Sequence, residues 1–238
     1  MSASPFAPDR DSGGSSGIIT VCKNGDVILV VGPDKERIQV ASEFLKHISP
    51  VLKAMLDGPM MEGESLRSRN DAPVEVTLPD DDPRTMAQVL KILYGAGNSV
   101  EEAQPKDIKE IAILADKYDM GDHLMYFGAH WFRTPESYAG QSDSMWDIAI
   151  AAYMLGLDWA FFEITEIMAR YECSFLKYAM LLPDQILGLR LGMAIAETRA
   201  LRSRTGICLH CFIRAEESFF QQRTDFDNPD WHINRYRN

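Results

Sequence analysis

Up to residue 80 the apolar positions fall in short β-branched runs, and beyond it they recur every three or four residues. Ile18 to Val21 and Val27 to Val31 are separated by Asn24-Gly25. Both residues of that pair tolerate positive φ, so the spacing predicts a hairpin joining the two runs. Gly32-Pro33-Asp34 predicts a second turn, into Arg37 to Ala41, where Ile38 and Val40 alternate with polar neighbours. Val74, Val76 and Leu78 alternate with Glu75 and Thr77, the pattern of a half-buried strand. Two short helical segments lie between these strands. Ser42 is placed to cap the first, which carries Phe44, Leu45 and Ile48. Ser49-Pro50 opens the second, with Val51, Leu52, Met55 and Leu56 turned inward, because proline at the first helical position sacrifices no hydrogen bond.

The later stripes are helical. Asp82-Pro83 makes a cap and first turn, and Met86, Val89, Leu90 and Leu93 follow at i, i+3, i+4 and i+7. Ile108, Ile111, Ala112 and Ala115 repeat the spacing, and Leu124, Phe127 and Trp131 continue it. Past Ser142 come Trp146, Ala149, Ile150 and Tyr153, then Phe161, Ile164, Thr165 and Met168. Pro183 starts a long segment with Ile186, Leu187, Leu191, Ala194 and Ile195. These stripes read as core rather than as a cofactor box. The expected fold is α+β. Residues 1–17, rich in Ser, Gly, Pro and Asp, form a disordered tail. Residues 18–132 form a small sheet flanked by helical hairpins, and residues 133–238 an all-helical extension with a frayed end.

Composition narrows the functional classes. Hydrophobic residues make up 46% of the chain and charged residues 25%, the balance of an ordinary globular protein. No apolar run approaches the about 18 residues that a membrane span needs, and the first residues lack the apolar segment of a secretory signal. Four cysteines without an export signal point to an intracellular setting, cytoplasm or nucleus, with reduced thiols. A net charge of −11 argues against direct nucleic-acid binding, which needs clustered cations on phosphates. The arginine-rich stretch Arg199, Arg202 and Arg204 sits at helical spacing and reads as a solvated face.

Catalytic and metal chemistry is thin. Gly13-Gly14-Ser15-Ser16-Gly17 matches the letters of a nucleophile elbow, but that elbow needs a strand before it and a helix after it. No phosphate-cradling glycine loop occurs. Asp80, Asp81 and Asp82 precede a helix, where capping and the helix dipole account for them. The five histidines, His47, His123, His130, His210 and His232, form no metal-binding pair in sequence. Cys208-Leu209-His210-Cys211 is the one metal-like word, and zinc commonly takes two such pairs. With one pair present, Cys208 and Cys211 read as small core residues, and a metal- or thiol-dependent role through Cys208, His210 and Cys211 stands as the alternative. No cofactor and no enzymatic activity is expected.

An ordered set of words carries a family resemblance. It begins with Gly25-Asp26-Val27-Ile28-Leu29-Val30-Val31-Gly32 and Ile38-Gln39-Val40-Ala41-Ser42. It continues through Ile48-Ser49-Pro50-Val51-Leu52-Lys53-Ala54-Met55-Leu56 and Met61-Glu62-Gly63. Val74 to Leu78, Pro79 to Pro83 and Ala115-Asp116-Lys117-Tyr118-Asp119 complete it. Over roughly residues 18–130 the chain resembles a BTB/POZ domain, of the kind many fungal proteins carry. The resemblance implies an adaptor or scaffold that forms homodimers. It places Asp26 at the dimer interface, with Ile18, Ile19 and Val21 on an N-terminal strand able to pair across it. Ala41-Ser42 and His47-Ile48 stand where many animal members carry a histidine and an arginine, so the charged pocket at that interface differs. Some members are substrate receptors of cullin-type ubiquitin ligases, and Met60 and Glu62 fit the hydrophobic-x-Glu pattern of their cullin contact. Recruitment of a corepressor is a further role in the family, here necessarily indirect with respect to DNA.

Overall fold

Five consecutive apolar residues, Val27–Val31, form strand β2, and all five are buried. Such a strand must be covered on both faces and paired along both edges, because buried backbone amides need partners. The computed structural model describes residues 17–58, 72–95, 103–170, 174–201 and 205–219, and it meets both requirements. β3 (Glu36–Val40) pairs antiparallel with β2, Val27 facing Val40, while β4 (Val74–Leu78) pairs parallel on the other edge, Val27 facing Val74. The short β1 (Ile19–Thr20) adds parallel to β3, giving the order β1-β3-β2-β4. β4 buries alternate residues, as its sequence pattern requires.

The hairpin expected at Asn24-Gly25 does not form. A two-residue hairpin turn of the favoured kind needs positive φ at both positions, and neither residue has it. Gly25 instead closes a turn with Cys22, its N–H 3.0 Å from the Cys22 carbonyl, and lies against β3. A Cβ there would stand 2.6 Å from the Val40 carbonyl group, so this glycine serves close backbone approach. The real hairpin joins β2 to β3 through Gly32, at φ +74°, and Lys35, whose N–H donates to the Gly32 carbonyl at 3.1 Å.

Helices α1 (Ser42–Ile48), α2 (Pro50–Asp57), α3 (Pro83–Tyr94), α4 (Pro105–Lys117) and α5 (Gly121–Trp131) complete the first part. Ser49 caps α2 and Asp82 caps α3, each with proline at the first turn as expected. Ser42 is no cap, since it is already the first helical residue. Within α2, Leu52 and Leu56 are buried, but Val51 is exposed: the helix offers only one stripe to the sheet.

A 3₁₀ turn (Pro135–Tyr138) leads to α6 (Ser142–Met154), α7 (Asp158–Arg170), α8 (Leu176–Ala179), α9 (Gln185–Ala200) and α10 (Leu209–Arg214). α6 lies along α4, and one cluster of buried side chains runs without a break from β2 through both helices to Phe212 on α10. Lys109 of α4 and Asp147 of α6 pair across that seam at 2.8 Å, both largely buried. The helical stripes account for the later core with one exception. On α9, Leu187, Leu191, Ala194 and Ile195 are buried, whereas Ile186 points outward.

Trp146 on α6 is the aromatic anchor of this second part. Its indole stacks on Phe175 at 5.6 Å and on Tyr178 at 5.9 Å, and it is almost wholly buried. Its Nε1 has no hydrogen-bond partner among the described residues. Trp146→Ala is therefore expected to cost about 3–5 kcal/mol in urea unfolding. Trp146→Phe keeps a ring in the stack and removes the orphaned donor, so its loss should be a small fraction of that.

Candidate interaction surface

The residues with a sequence-based role that the structure describes each have a definite place in the fold. Asp26 leads directly into β2 and is half-buried. Its carboxylate accepts the Ser42 N–H at 2.6 Å and the Ser42 hydroxyl at 2.8 Å. Asp26 thus caps α1 from the sheet side, sixteen residues back in the chain, and supplies the carboxylate that the first turn of a helix favours. Ser42 is a donor in this pair rather than the acceptor its sequence position suggested. Among the strand residues, Ile18 is exposed, Ile19 half-buried, and Val21 buried, with its N–H on the Gln39 carbonyl at 3.0 Å. Ile18 and Ile19 lie at the outer edge of the sheet, since β1 has a neighbour on one side only among the described residues. Met60 and Glu62 fall outside the described residues.

The three aspartates before α3 divide the work. The Asp82 carboxylate accepts the Thr85 N–H and hydroxyl, both at 2.7 Å. Asp81 is buried, accepting the Tyr118 phenol at 2.6 Å and the Lys117 ammonium at 2.7 Å. The Tyr118 carbonyl in turn accepts the hydroxyl of Ser49, which is fully buried and also takes the Leu52 N–H at 3.0 Å. Reading the aspartates as surface caps missed this tie. No periodicity links Asp81 to Tyr118, so only the fold could reveal it.

The metal-like word does not assemble into a ligand set. Cys208 and Cys211 are buried in the core around Phe212, while His210 is exposed. Among the described residues no group of three or more His, Cys, Asp or Glu side chains stands where it could hold a metal ion. His47 of α1 and His123 of α5, far apart in sequence, bring their rings to 5.3 Å. Arg199 is not part of a solvated face. Its guanidinium donates to the Met168 carbonyl at 3.2 Å and lies over the Phe175 ring, while Arg202 and Arg204 lie outside the described residues. No helix among the described residues is long and apolar enough to cross a membrane.

The family model for the BTB/POZ domain matches residues 21–125, the stretch that holds β2, β3, β4 and α1 to α4. This part of the chain is a BTB/POZ domain. Domains of this family are protein–protein interaction modules and are typically not enzymes. The match begins at Val21, just past β1, and ends inside α5, so the BTB/POZ domain contains Asp26 and the Asp81–Tyr118 tie while α6 to α10 lie beyond it. No curated protein matches the chain.

Inside the BTB/POZ domain, burial and the neighbouring Asp81 carboxylate push the Tyr118 phenol well above its ordinary value near 10. A raised value means the fold favours the protonated phenol. That stabilisation is complete below pH 10 and is lost as the pH climbs toward the folded-state value. Tyr118→Phe should cost about 1–3 kcal/mol at neutral pH, because Asp81 stays buried with one donor fewer. Denaturant titrations from pH 7 to 11 should show the gap between wild type and variant narrowing above pH 10.

Proposed function

We propose that the protein is an adaptor that self-associates through its BTB/POZ domain and presents the helices beyond it to a second protein. The family match over residues 21–125 carries this reading. The sheet edge supports it: β1 is two residues long and carries the exposed Ile18 beside the half-buried Ile19. Such an edge offers unpaired backbone groups and apolar surface to a second copy, and a symmetric pair is the commonest way to cover it. Ile18 and Ile19 then make the contact across the interface. Val21 seats the strand from below, and Asp26 holds α1 in register behind it.

Gel filtration with light scattering at micromolar concentration should give twice the mass of one chain. The change Ile18→Asp, at the exposed position, should return a single-chain mass with little loss of melting temperature. A wild type that elutes as one chain overturns self-association.

A second reading rests on Met60-Met61-Glu62, which follows the end of α2 by a few residues in sequence. As a cullin-ligase substrate receptor, the protein would seat Met60 in an apolar pocket of the cullin and use Glu62 to fix register, the division between buried anchor and polar rim common at interfaces. Calorimetry with a cullin N-terminal domain should then show binding at tens of micromolar or tighter, reduced at least tenfold by Met60→Ala. Absence of binding by the wild type removes this reading and leaves the adaptor proposal intact.

A further inference from the structure

Between α8 and α9 runs an open groove of about 250 Å³, walled by Leu176, Leu189, Gly192 and Met193, with Phe175 in the lining. Leu176 is 62% and Met193 64% exposed, so this side of α9 has no cover among the described residues. Contiguous apolar surface of this kind normally meets another element. Charge does not choose that element. Arg199, the charged residue of the described lining, is held by the Met168 carbonyl and the Phe175 ring, and Lys177 on α8 pairs with Asp143. The path of the chain does choose. Past α10 the chain runs back along α9: Arg190 donates to the Ala215 carbonyl at 3.1 Å, and the Glu197 carboxylate accepts the Phe219 N–H at 3.1 Å and the Ser218 hydroxyl. Phe219 stacks on Phe212 at 5.5 Å. Phe219 thus stands at Glu197, whose neighbours on α9 are Ala196 in sequence and Met193 one turn back, both in the groove lining.

Residues 220–238 follow directly and carry Phe226, Trp231, Ile233 and Tyr236, side chains that an apolar groove takes. Arg223, Arg235 and Arg237 offset Asp225, Asp227 and Asp230, so the segment brings no net charge from a chain whose total is −11. From Phe219 to Phe226 an extended chain spans up to about 23 Å. Along α9 the rise from Leu189 to Glu197 is about 12 Å, so the aromatic residues arrive with length to spare. We propose that residues 226–233 of this chain cross α9 and seat the Trp231 indole in the α8–α9 groove, between Leu176, Leu189 and Met193. An indole buries a large apolar area, and the groove has room for one or two such side chains. The short tether sets an effective concentration of roughly millimolar, so the segment takes the groove ahead of a free partner of similar intrinsic affinity. So placed, it closes this face to other proteins. The inference goes beyond the adaptor reading and does not rest on it, since a second protein would meet other faces of α6 to α10.

The experiment uses the full chain with the photoreactive p-benzoylphenylalanine in place of Trp231, irradiated at micromolar concentration and read by mass spectrometry of its peptides. A cross-link within one chain to Leu176, Leu189 or Met193 is expected. Gly192→Leu fills the groove floor, and the fold accommodates it, because a Cβ at Gly192 meets only the Phe175 Cβ at 3.7 Å, an ordinary contact. That variant should cut the cross-link yield at least fivefold with a melting temperature no lower than before. In the unlabelled protein, trypsin should cleave after Arg235 at least fivefold faster in Trp231→Ala and in Gly192→Leu than in the wild type. Four results overturn the proposal. Cross-links that join two chains give the groove to a second copy. Cross-links to other parts of the chain, or none, place Trp231 elsewhere. Cleavage accelerated by Trp231→Ala but not by Gly192→Leu shows the segment docked on a different face. Equal cleavage of all three proteins shows that it is not docked.

Discussion

Tyr118 ends α4, and three elements that do not touch in sequence meet on it. Its carbonyl takes the Ser49 hydroxyl, so the start of α2 is set against the end of α4. Its phenol takes the buried Asp81, so the turn between β4 and α3 is set against the same point. The constraint behind this arrangement is that a buried polar atom without a partner costs the fold about 1–3 kcal/mol. Asp81 and Ser49 can be buried only if Tyr118 arrives, and Tyr118 can be buried only if they do. Satisfying one set of polar groups therefore fixes the mutual placement of sheet, α2 and α4. Helices α3, α5 and α6 are then packed onto α4.

From that base the second part grows by burial. α6 lies on α4, the Lys109–Asp147 pair closes the seam, and α7 to α10 continue the same core. Several polar ties in the second part are made by side chains that reach backbone atoms. The Thr165 hydroxyl oxygen accepts the Ile207 N–H at 2.8 Å, which fixes the approach to α10 against α7. Arg190 donates to the Phe212 and Ala215 carbonyls at 2.7 and 3.1 Å, satisfying acceptors at the end of α10 that the helix cannot pair itself. The Glu197 carboxylate accepts the Phe219 N–H at 3.1 Å on the same side of α9. With that side and the core-facing side both engaged, the third side of α9 carries Leu189 and Met193 to the surface beside α8. An apolar groove in this position is a product of the packing around it. The exposed edge at β1 lies at the far end of the same core, on the sheet.

Much of the fold is legible along the chain because its elements announce themselves locally. The strand β4 alternates, the β2 run is β-branched, and the α3 and α4 stripes keep a helical period; Ser49-Pro50 and Asp82-Pro83 start helices where their chemistry says they should. The order of those words also identifies the BTB/POZ domain over residues 21–125. The candidate surface is far less legible. Ser42 has the chemistry of a cap, but its role passes to Asp26 on another element. Ile186 shares the composition of the core residues beside it and lies outside the core. The Cys208–Cys211 spacing resembles half a metal site, but packing buries the two cysteines and leaves His210 exposed.

The sequence by itself determined the α+β class, the places where most helices and strands start, the family of the first part and the acidic character of the whole. Those properties depend on neighbours within a turn or a strand, where period, capping and charge act directly. Tertiary structure alone decided that β1 joins β3 instead of β2, that Asp81, Tyr118 and Ser49 share one buried network, and that α9 keeps an apolar side uncovered among the described residues. Strand order is set by competition for edges. Both edges of β2 are taken by β3 and β4, and Gly25 is held by its contact with Val40, which lets the chain pass without a tight hairpin. Burial is likewise set by what lies across the interface. A leucine on α9 has the same side chain on either face of the helix, and only the presence or absence of a neighbouring element separates core from surface.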